Sequence, residues 1–366
     1  MNENYVTLGQ VCDKGSSNIA QKDLAEREGW YPIYGAAGLI KNVDFAHQKQ
    51  PYIAVVKDGA GIGRVMKLPA YSSVIGTMQY ILPKKNVDID YLFYALQHMN
   101  LGKYFSGSTI PHIYFRDYQK ERLKLPAMKV QQHQAEVLGR IDALSSDGRK
   151  QIDLLDELVK SRFVEMFGDV IHNDRGWPQH SFSKITSSRL GKMLDTKQQT
   201  GLHSYPYLAN FNVQWFRFDL KNLNQMDFNE ADQVEFALQD GDVLVCEGGE
   251  IGRCAVWHDE IQPCFFQKAL HRVRCDKSII LPDYLAWWFK YNCDHGGFAA
   301  IEGAKATIAH LPGAKLKQLQ VTVPPISHQN HFASFVSEVD KSKLAVKQSL
   351  EKLETLKKSL MQQYFG

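Results

Sequence analysis

The chain has 366 residues, of which 44% are hydrophobic and 23% are charged, so it is long enough for two or three domains and has the composition of an ordinary globular protein. Its 43 Lys and Arg residues against 40 Asp and Glu residues leave a formal net charge of +3, which neither requires nor excludes a nucleic-acid partner because clustering on one face is what matters. No apolar run approaches the roughly 18 residues of a transmembrane helix, the N-terminus does not resemble a signal peptide, and the cysteines contain no CxxC pair. We therefore expect a cytoplasmic protein with reduced thiols, no bound metal and no membrane partner.

Residues 1–118 are predicted to form a first globular domain of mixed α/β composition. Short β-type runs such as YPIYG, PYIAVVKDG and MQYILP alternate with glycine-rich turns, and we expect a helix from Asp90 to Asn100. The turn KDGAGIGR, which ends at Arg64, lacks the terminal Lys-Ser/Thr of a phosphate-binding P-loop. A tight hairpin with glycines at positive φ is the preferred interpretation. The alternative is a hairpin whose arginine reaches a phosphate backbone.

Residues 119–168 contain a joint, LPAMKVQQHQAEVLGRID, and then a long proline-free run in which Gln131 is expected to begin a helix. Apolar residues recur in steps of three, four and occasionally more, which predicts one buried face made of Val137, Ile141, Leu144, Ile152, Leu155, Val159, Phe163 and Met166. A helix of roughly 37 residues is on the order of 55 Å long. Gly148 lies near its middle and costs about 1 kcal/mol relative to alanine unless packing against a partner helix offsets it.

Residues 169–320 are predicted to form a second globular domain that repeats the first. The β-type runs here are YPYLANF, GDVLVCEGG and LHRVRC, and a helix is expected from Pro282 to Tyr291. The segment LVCEGGEIGR, which ends at Arg253, aligns with VVKDGAGIGR, and TIAHL aligns with TIPHI. The domains are therefore two divergent copies of one unit.

Residues 321–366 repeat the joint, as VPPISHQNHFASFVSEVD, and the long helix. Pro126 and Pro324, and likewise Gln131 and Gln329, are 198 residues apart, and both copies end in Phe-Gly. Phe332, Val339, Val346, Leu353 and Leu360 follow one another at intervals of seven residues, which predicts a coiled-coil seam. We expect an antiparallel helix pair with a globular domain at each end, related by a pseudo-twofold axis. The alternative is that the helices merely pack into a shared core.

Motifs that would indicate catalysis are missing from the sequence. We find no Asn/Asp-Pro-Pro-aromatic motif for base methylation, no Walker A lysine, and no HExxH or GxSxG motif. His112 and His310 recur at equivalent positions of the repeat, and a packing or capping role is a simpler interpretation than catalysis. We therefore expect a protein that is not an enzyme.

The order and duplication of these segments resemble the specificity subunit of type I restriction–modification systems. The resemblance covers essentially the whole chain and is carried by the VPPISHQ joint, by KDGAGIGR and GDVLVCEGGEIGR, and by YPIYGAAGLI. The first joint departs from the usual form, because Ala127 replaces the second proline. Val130 and His328 also stand where an acidic residue is common.

The resemblance implies a fold and a set of partners. Each globular domain is expected to be a target recognition domain that reads one half of an asymmetric, bipartite double-stranded DNA target. The two helices are expected to act as a ruler between the halves and as the dock for two methyltransferase subunits, which restriction subunits then join. S-adenosylmethionine, ATP and Mg are expected on those partners, and no cofactor is expected on this chain.

Candidate contact residues follow from residue type and from the glycine-rich context. Base readout needs Arg or Lys on guanine and Asn or Gln on adenine, and phosphates are bound by Lys, Arg and backbone amides. The predicted DNA-binding residues are Tyr34, Lys41, Lys57, Arg64, Ser108, Thr109 and His112 in the first domain, and Lys192, Lys197, Asn210, Asn212, Gln214, Arg253, Lys268 and Lys305 in the second. The predicted spacer and partner residues of the helices are Val137, Ile141, Leu155, Val339, Val346, Leu353 and Leu360.

Two other functions fit the same sequence. One is the recognition module of a related system that methylates DNA without a nuclease. The other is a protein-interaction scaffold, in which a coiled coil holds two binding domains that do not contact DNA. For any single contact residue, a solvated surface role is the competing interpretation.

Overall fold

The computed structural model describes residues 5–107, 111–195, 199–299 and 310–366. Ser108, Thr109, Lys197 and Lys305 lie outside the described residues. The chain divides into two compact units, one made of Met1–Gln151 with Ala345–Gly366 and the other of Ile152–Leu344. Each long helix therefore contributes one part to each unit.

The described part of the first unit contains nine strands, the beginning of the first long helix and the end of the second. Its elements in chain order are β1 (Tyr5–Thr7), α1 (Leu8–Val11), β2 (Cys12–Ser16), β3 (Tyr31–Gly35), β4 (Gly38–Val43), β5 (Tyr52–Val56), β6 (Val65–Leu68), β7 (Ser73–Val74), β8 (Met78–Pro83), α2 (Ile89–His98), α3 (Phe115–Tyr118), β9 (Arg122–Lys124) and the long helix α4 (Met128–Phe167). The described strands form a four-stranded antiparallel sheet in the order β2-β8-β5-β6, a three-stranded sheet in the order β4-β3-β7, and the pair β1-β9.

The second unit repeats this plan. Its elements are β10 (Gln179–Ser181), α5 (Phe182–Ile185), β11 (Thr186–Leu190), β12 (Ser204–Leu208), β13 (Val213–Gln214), β14 (Arg217–Phe218), β15 (Asn224–Asp227), α6 (Glu230–Phe236), β16 (Val243–Cys246), β17 (Cys254–Val256), β18 (Phe265–Phe266), β19 (Leu270–Cys275), α7 (Pro282–Asp294), α8 (Gly313–Gln318), β20 (Gln320–Thr322) and the long helix α9 (Ile326–Phe365). The sheets have the orders β11-β19-β16-β17, β15-β12-β18 and β10-β20.

The structure confirms the mixed α/β class and the internal repeat. Each sheet of the first unit has a counterpart in the second, including the parallel pairs β3-β7 and β12-β18. The expected helices are present as α2 and α7 with shifted ends, accompanied by short helices that the sequence did not indicate. The hairpin β13-β14 and the helix α6 occur in the described part of the second unit alone.

One of the two central strands of each four-stranded sheet, β5 or β16, is buried on both faces. In β5, Ile53 and Val55 pack in the core beneath α2, whereas Tyr52, Ala54 and Val56 pack on the opposite side of the sheet. Side chains alternate between the faces of a strand, so a continuous apolar run is what a strand covered on both faces requires. β16 divides in the same way between two cores.

Neither long helix begins at the glutamine of its joint, so that expectation was wrong. The helices begin at Met128 and Ile326, three residues before the glutamines, and each has 40 residues. Gln131 and Gln329 are 1% and 0% exposed. Buried amides need hydrogen-bond partners, and the two glutamines have equivalent backbone partners in their own units.

Each joint glutamine ties the first turn of its helix to the loop before α2 or α7. The Gln131 Oε1 accepts a hydrogen bond from the Asp88 N–H at 2.9 Å, and its Nε2 donates to the carbonyls of Asn86 at 3.2 Å and Pro126 at 2.8 Å. Gln329 accepts from the Leu281 N–H at 2.8 Å and donates to the carbonyls of Ile279 at 3.0 Å and Pro324 at 2.8 Å. The joint is therefore a hydrogen-bonded anchor for the helix.

The two long helices pack together in antiparallel fashion within each unit. In the first unit, Asp142 pairs with Lys357 at 2.5 Å, and Gly148 lies against Leu350. In the second unit, Asp156 pairs with Lys343 at 2.6 Å, and Phe167 packs on Phe332.

The predicted seam is buried to different degrees along its length. Ile141, Phe332 and Val339 are buried, and Val137, Leu155, Val346, Leu353 and Leu360 are half-buried. Leu144 was assigned to the buried face and is 57% exposed. The helix turns about 100° per residue, so a position three residues from Ile141 drifts off the seam, and Ser145 is the buried residue of that turn.

Candidate nucleic-acid interface

The glycine-rich turn between β5 and β6 is a tight hairpin, as preferred from the sequence. Gly59, Gly61 and Gly63 have φ angles of 82°, 89° and 79°. A Cβ at Gly63 would lie 2.3 Å from the Gly102 backbone nitrogen, so no other residue fits there without a shift of the backbone. The corresponding turn of the second unit has Gly249 and Gly252 at positive φ.

Strand pairing shows that the first turn is one residue longer than the second. The Val56 N–H donates to the Arg64 carbonyl at 2.9 Å, and the Cys246 N–H donates to the Arg253 carbonyl at 2.8 Å. Lys57 therefore corresponds to Glu247, and each accepts a hydrogen bond from the backbone of an equivalent residue, Ile113 or Leu311. The two turns share a frame but differ in charge at the same position.

The arginine after each glycine-rich turn holds a second loop against that turn. The Arg64 Nη1 donates to the Ala36 carbonyl at 2.8 Å. The Arg253 Nη2 donates to the Asn210 carbonyl at 3.2 Å and to its Oδ1 at 2.7 Å. Ala36 and Asn210 occupy equivalent positions, since Tyr34 and Leu208 pair with equivalent strands. The Arg253 side chain is 19% exposed, whereas Arg64 is an exposed residue.

The described candidates of the first domain fall into two groups. Lys57 and His112 both contact the carboxylate of Asp58, at 3.9 Å from the Lys57 Nζ, and the strand-like segment after Pro111 lies beside the glycine-rich turn. Lys41 instead donates to the carbonyls of Leu24 and Ala25. Tyr34 packs partly into the core under the sheet.

The described candidates of the second domain are mostly engaged within the domain. Asn212 is buried, accepts the Ala209 N–H at 2.9 Å and donates to the Asp219 carbonyl at 2.8 Å. Lys192 pairs with Asp232. Gln214 is half-buried and Lys268 is exposed, and the Lys268 N–H donates to the Lys192 carbonyl.

Exposed aromatic residues were not singled out from the sequence. Trp30 is 91% exposed, and beside it Tyr31 stacks on Tyr71 with ring centroids 6.4 Å apart. Phe211 is exposed in the second unit, next to Asn210. The sequence offered one signal of this exposed aromatic residue. Trp30 lies between Gly29 and Tyr31, where a strand begins.

The thiols and acidic groups of the described residues give no sign of a metal centre. No cluster of three or more potential ligands occurs among residues 5–107, 111–195, 199–299 and 310–366. Burial raises the pKa of Cys12 to about 12 and that of Cys246 to about 11, so these thiols stay protonated and unreactive at neutral pH. In the same part of the chain, no helix combines the length and apolar character needed to cross a membrane.

Comparison with known proteins identifies relatives over most of the chain. Residues 2–154 and 183–356 match the family model of the type I restriction modification DNA specificity domain. The type I restriction enzyme MjaVIII specificity subunit of Methanocaldococcus jannaschii is 20% identical over 373 residues, which covers 92% of this chain and 85% of that protein. The type I restriction enzyme EcoprrI specificity subunit of Escherichia coli is 25% identical over 146 residues, and this match covers 38% of this chain and 36% of that protein.

A solved structure shows the same fold. The crystal structure of the S subunit of a type I restriction-modification system from M. genitalium has a TM-score of 0.65 and 15% identity, and it covers 100% of this chain and 97% of that chain. The sheets and helices thus define a duplicated protein in which each sheet-rich domain is followed by a long helix. The chain belongs to the specificity (S) subunits of type I restriction–modification systems.

Proposed function

We propose that this subunit reads an asymmetric bipartite target in double-stranded DNA, one half with each sheet-rich domain. The observation that carries the proposal is the repeated frame with different side chains on it, because Lys57 of one glycine-rich turn corresponds to Glu247 of the other. A frame used twice positions two readers in the same way, and unlike side chains at the base edges select unlike sequences. The two halves of the target are then different.

Among the sequence-based candidates, the contacts we favour are those whose polar groups are at least partly accessible. Lys57, Arg64 and His112 lie at the glycine-rich turn of the first domain. In the second domain, Gln214 is a half-buried residue of β13 and Lys268 is exposed. Arg253, Asn212 and Lys192 are engaged inside their domain, so we assign them the role of holding the loops in place. The remaining sequence-based candidates, Tyr34, Lys41, Ser108, Thr109, Lys197, Asn210 and Lys305, stay proposals of direct contact.

The long helices are proposed to set the gap between the half-sites and to dock two methyltransferase subunits. Leu158 and Leu356 are 198 residues apart in the repeat, and they are 47% and 48% exposed. Leucines exposed at equivalent positions give each helix the same apolar surface, which suits two copies of one partner. Restriction subunits then join this core, and S-adenosylmethionine, ATP and Mg are bound by the partners. The chain itself carries out no catalysis.

Methylation mapping tests this proposal directly. Methylated adenines are mapped across the genome in cells with and without the gene. We expect an asymmetric motif of two short halves separated by a fixed gap to lose methylation when the gene is absent. Unchanged methylation at every motif, in cells that still make the methyltransferase subunit, would contradict the proposal. Copurification of a motor-nuclease subunit distinguishes a restriction system from one that only methylates.

A further inference from the structure

A pocket of about 370 Å³ lies within the second unit, between α4, α7, α9 and the hairpin β13-β14. One wall is aromatic and contains Trp215, Phe216 and Trp287. The rings of Phe216 and Trp287 stack with centroids 4.3 Å apart and planes inclined by 21°. The carboxylates of Asp283 and Asp340 line the same pocket. Its volume suits a small molecule rather than a folded segment.

The first unit shows what the equivalent carboxylates bind. Asp90 corresponds to Asp283, and it forms an ion pair with Lys67 of β6. Asp142 corresponds to Asp340, 198 residues away in the repeat. Asp142 forms an ion pair with Lys357 at 2.5 Å and also accepts a hydrogen bond from the Tyr94 hydroxyl at 2.9 Å. Asp90 and Asp142 of the first unit thus each form an ion pair with a lysine of the chain.

Both lysines are replaced by valine in the second unit. Lys67 pairs with Ile53 in the β5-β6 ladder, and Val256 pairs with the equivalent Val243 in the β16-β17 ladder. Val159 precedes Lys357 by 198 residues and takes its place in the repeat. Val159 and Val256 both line the pocket. The pocket therefore lies where two lysine side chains are absent and two carboxylates remain.

The lysines that do line the pocket are already engaged. Lys343 pairs with Asp156 at 2.6 Å and with Asp340 at 3.3 Å, Lys160 pairs with Glu157, and Lys290 pairs with Asp294. Asp283 forms no ion pair with any lysine or arginine in the described part of the chain. Burial raises the pKa of Asp283, with His258 opposing the effect. The half-buried carboxylate of Asp283 is stabilised when a cation is supplied beside it.

We propose that this pocket binds a small organic cation, whose ammonium or guanidinium group pairs with Asp283. The cation takes the place that Lys67 fills in the first unit. Its carrier packs against Trp287 and Phe216, since a cation beside an aromatic face gains from the ring quadrupole. Lys290 already lies over the Trp215 ring at 5.0 Å, so this wall accepts cations. None of the residues that line the pocket is among those proposed to contact DNA.

Agmatine is a suitable probe because it carries a guanidinium group and an ammonium group on one short chain. The full chain is titrated with agmatine at constant ionic strength, and the fluorescence of the pocket tryptophans is followed. We expect a saturable change for the natural sequence. Asp283→Asn is expected to weaken binding about tenfold, because it removes the charge that pairs with the ligand. Val256→Lys supplies an internal cation, as Lys67 does, and is expected to abolish the saturable change.

Two controls keep the result specific. Asp90→Asn removes the corresponding carboxylate of the first unit and is expected to leave agmatine binding within about twofold of the natural value, since the pocket is unaltered. The uncharged analogue 1,4-butanediol is expected not to bind. Circular dichroism and thermal melting show that each variant is folded. Equal binding by folded Asp283→Asn, saturable binding of butanediol, or no saturable change with agmatine would each overturn the proposal.

Discussion

The joint glutamines occur in both copies of the repeat and make the same pattern of hydrogen bonds in each. Gln131 and Gln329 each make three hydrogen bonds to equivalent backbone groups, and both are buried in the first turn of a long helix. A glutamine supplies both an acceptor and a donor from one amide, which glutamate and leucine do not. The joint therefore fixes where each helix leaves its domain.

Gln131→Ala tests this anchor. The substitution leaves the Asp88 N–H and two carbonyls without their partner, so we expect the free energy of unfolding of the first unit to fall by about 2 kcal/mol or more. Gln132→Ala is the matched control, because Gln132 is the next residue and is exposed; we expect a change within about 0.5 kcal/mol. Urea denaturation followed by circular dichroism measures both. Equal losses in the two variants would rule out the anchoring role.

His271 gives the second unit a dependence on pH. It is buried, and its Nε2 donates to the Leu311 carbonyl at 2.9 Å. Burial lowers the pKa of His271, so the folded chain favours the neutral ring. When the pH falls below the ordinary histidine pKa of about 6.5, protonation of this side chain favours the unfolded chain. We expect stability to be full above about pH 6.5 and to decline as the pH falls below that value.

The residue at the equivalent position of the first unit supplies the comparison variant. Gln79 pairs with Val55 as His271 pairs with Val245. His271→Gln should therefore flatten the decline in stability between pH 7.5 and 5.5, as measured by urea midpoints at each pH. A decline of undiminished steepness in His271→Gln would assign the effect to other groups.

At the scale of the elements, the long helices contain a glycine whose small size is used. A Cβ at Gly148 would lie 2.9 Å from the Leu350 Cδ2 and 3.3 Å from its Cγ, whereas a Cβ at Gly139 meets only the Tyr94 Oη at 3.7 Å. Both glycines lie inside α4. Gly148 therefore allows the two helices to pack closely. This packing offsets the low helix propensity of glycine.

The pair of glycines allows a matched experiment. Gly139→Ala is expected to raise the free energy of unfolding by up to about 1 kcal/mol through helix propensity alone. Gly148→Ala gains the same propensity but displaces Leu350, so we expect it to be less stable than Gly139→Ala by about 1 kcal/mol. Thermal and urea denaturation of the full chain give both values. Equal stabilisation by the two alanines would mean that Leu350 moves aside freely.

Elements were predictable from the sequence where their signal is local. The strands, the glycine-rich hairpin and the long helices follow from periodicity, from glycine conformations and from the heptads, all of which are properties of neighbouring residues. The role of Gln131 was not predictable in this way, because its partners Asn86 and Asp88 lie more than forty residues before it. Leu144 was misassigned because steps of three and four are ambiguous at the edge of a helix face.

The candidate site was predictable only as a region. Both arginines after the glycine-rich turns were singled out from residue type, yet the burial of Arg253 depends on Asn210 from a distant loop. Sequence alignment also placed Lys57 one position away from its structural counterpart, because a turn can lengthen by one residue without changing the strands that flank it. The correspondence between the two turns is determined by the pairing of the flanking strands, which the sequence alignment does not show.

At the scale of the whole molecule, the proposed docking of two methyltransferase subunits has a countable outcome. Leu158→Asp and Leu356→Asp each place a charge on one of two equivalent apolar surfaces. We expect each single variant to assemble with one methyltransferase subunit and the double variant with none, as counted by native mass spectrometry. Val164→Asp, at an exposed position of α4 about 120° around the helix from Leu158, is the control and should leave two. Two bound subunits in the double variant would place the dock elsewhere.

The division of both long helices between the units has a consequence during synthesis. The core of the first unit includes Phe365, which packs against Tyr91 with ring centroids 5.1 Å apart. Its residues up to Gln151 leave the ribosome long before those after Ala345, and at roughly 5–20 residues per second the interval is on the order of ten seconds or longer. The first domain to be synthesised is therefore the last to complete its core. Its apolar face stays uncovered until the C-terminal segment has been translated, after the whole second domain.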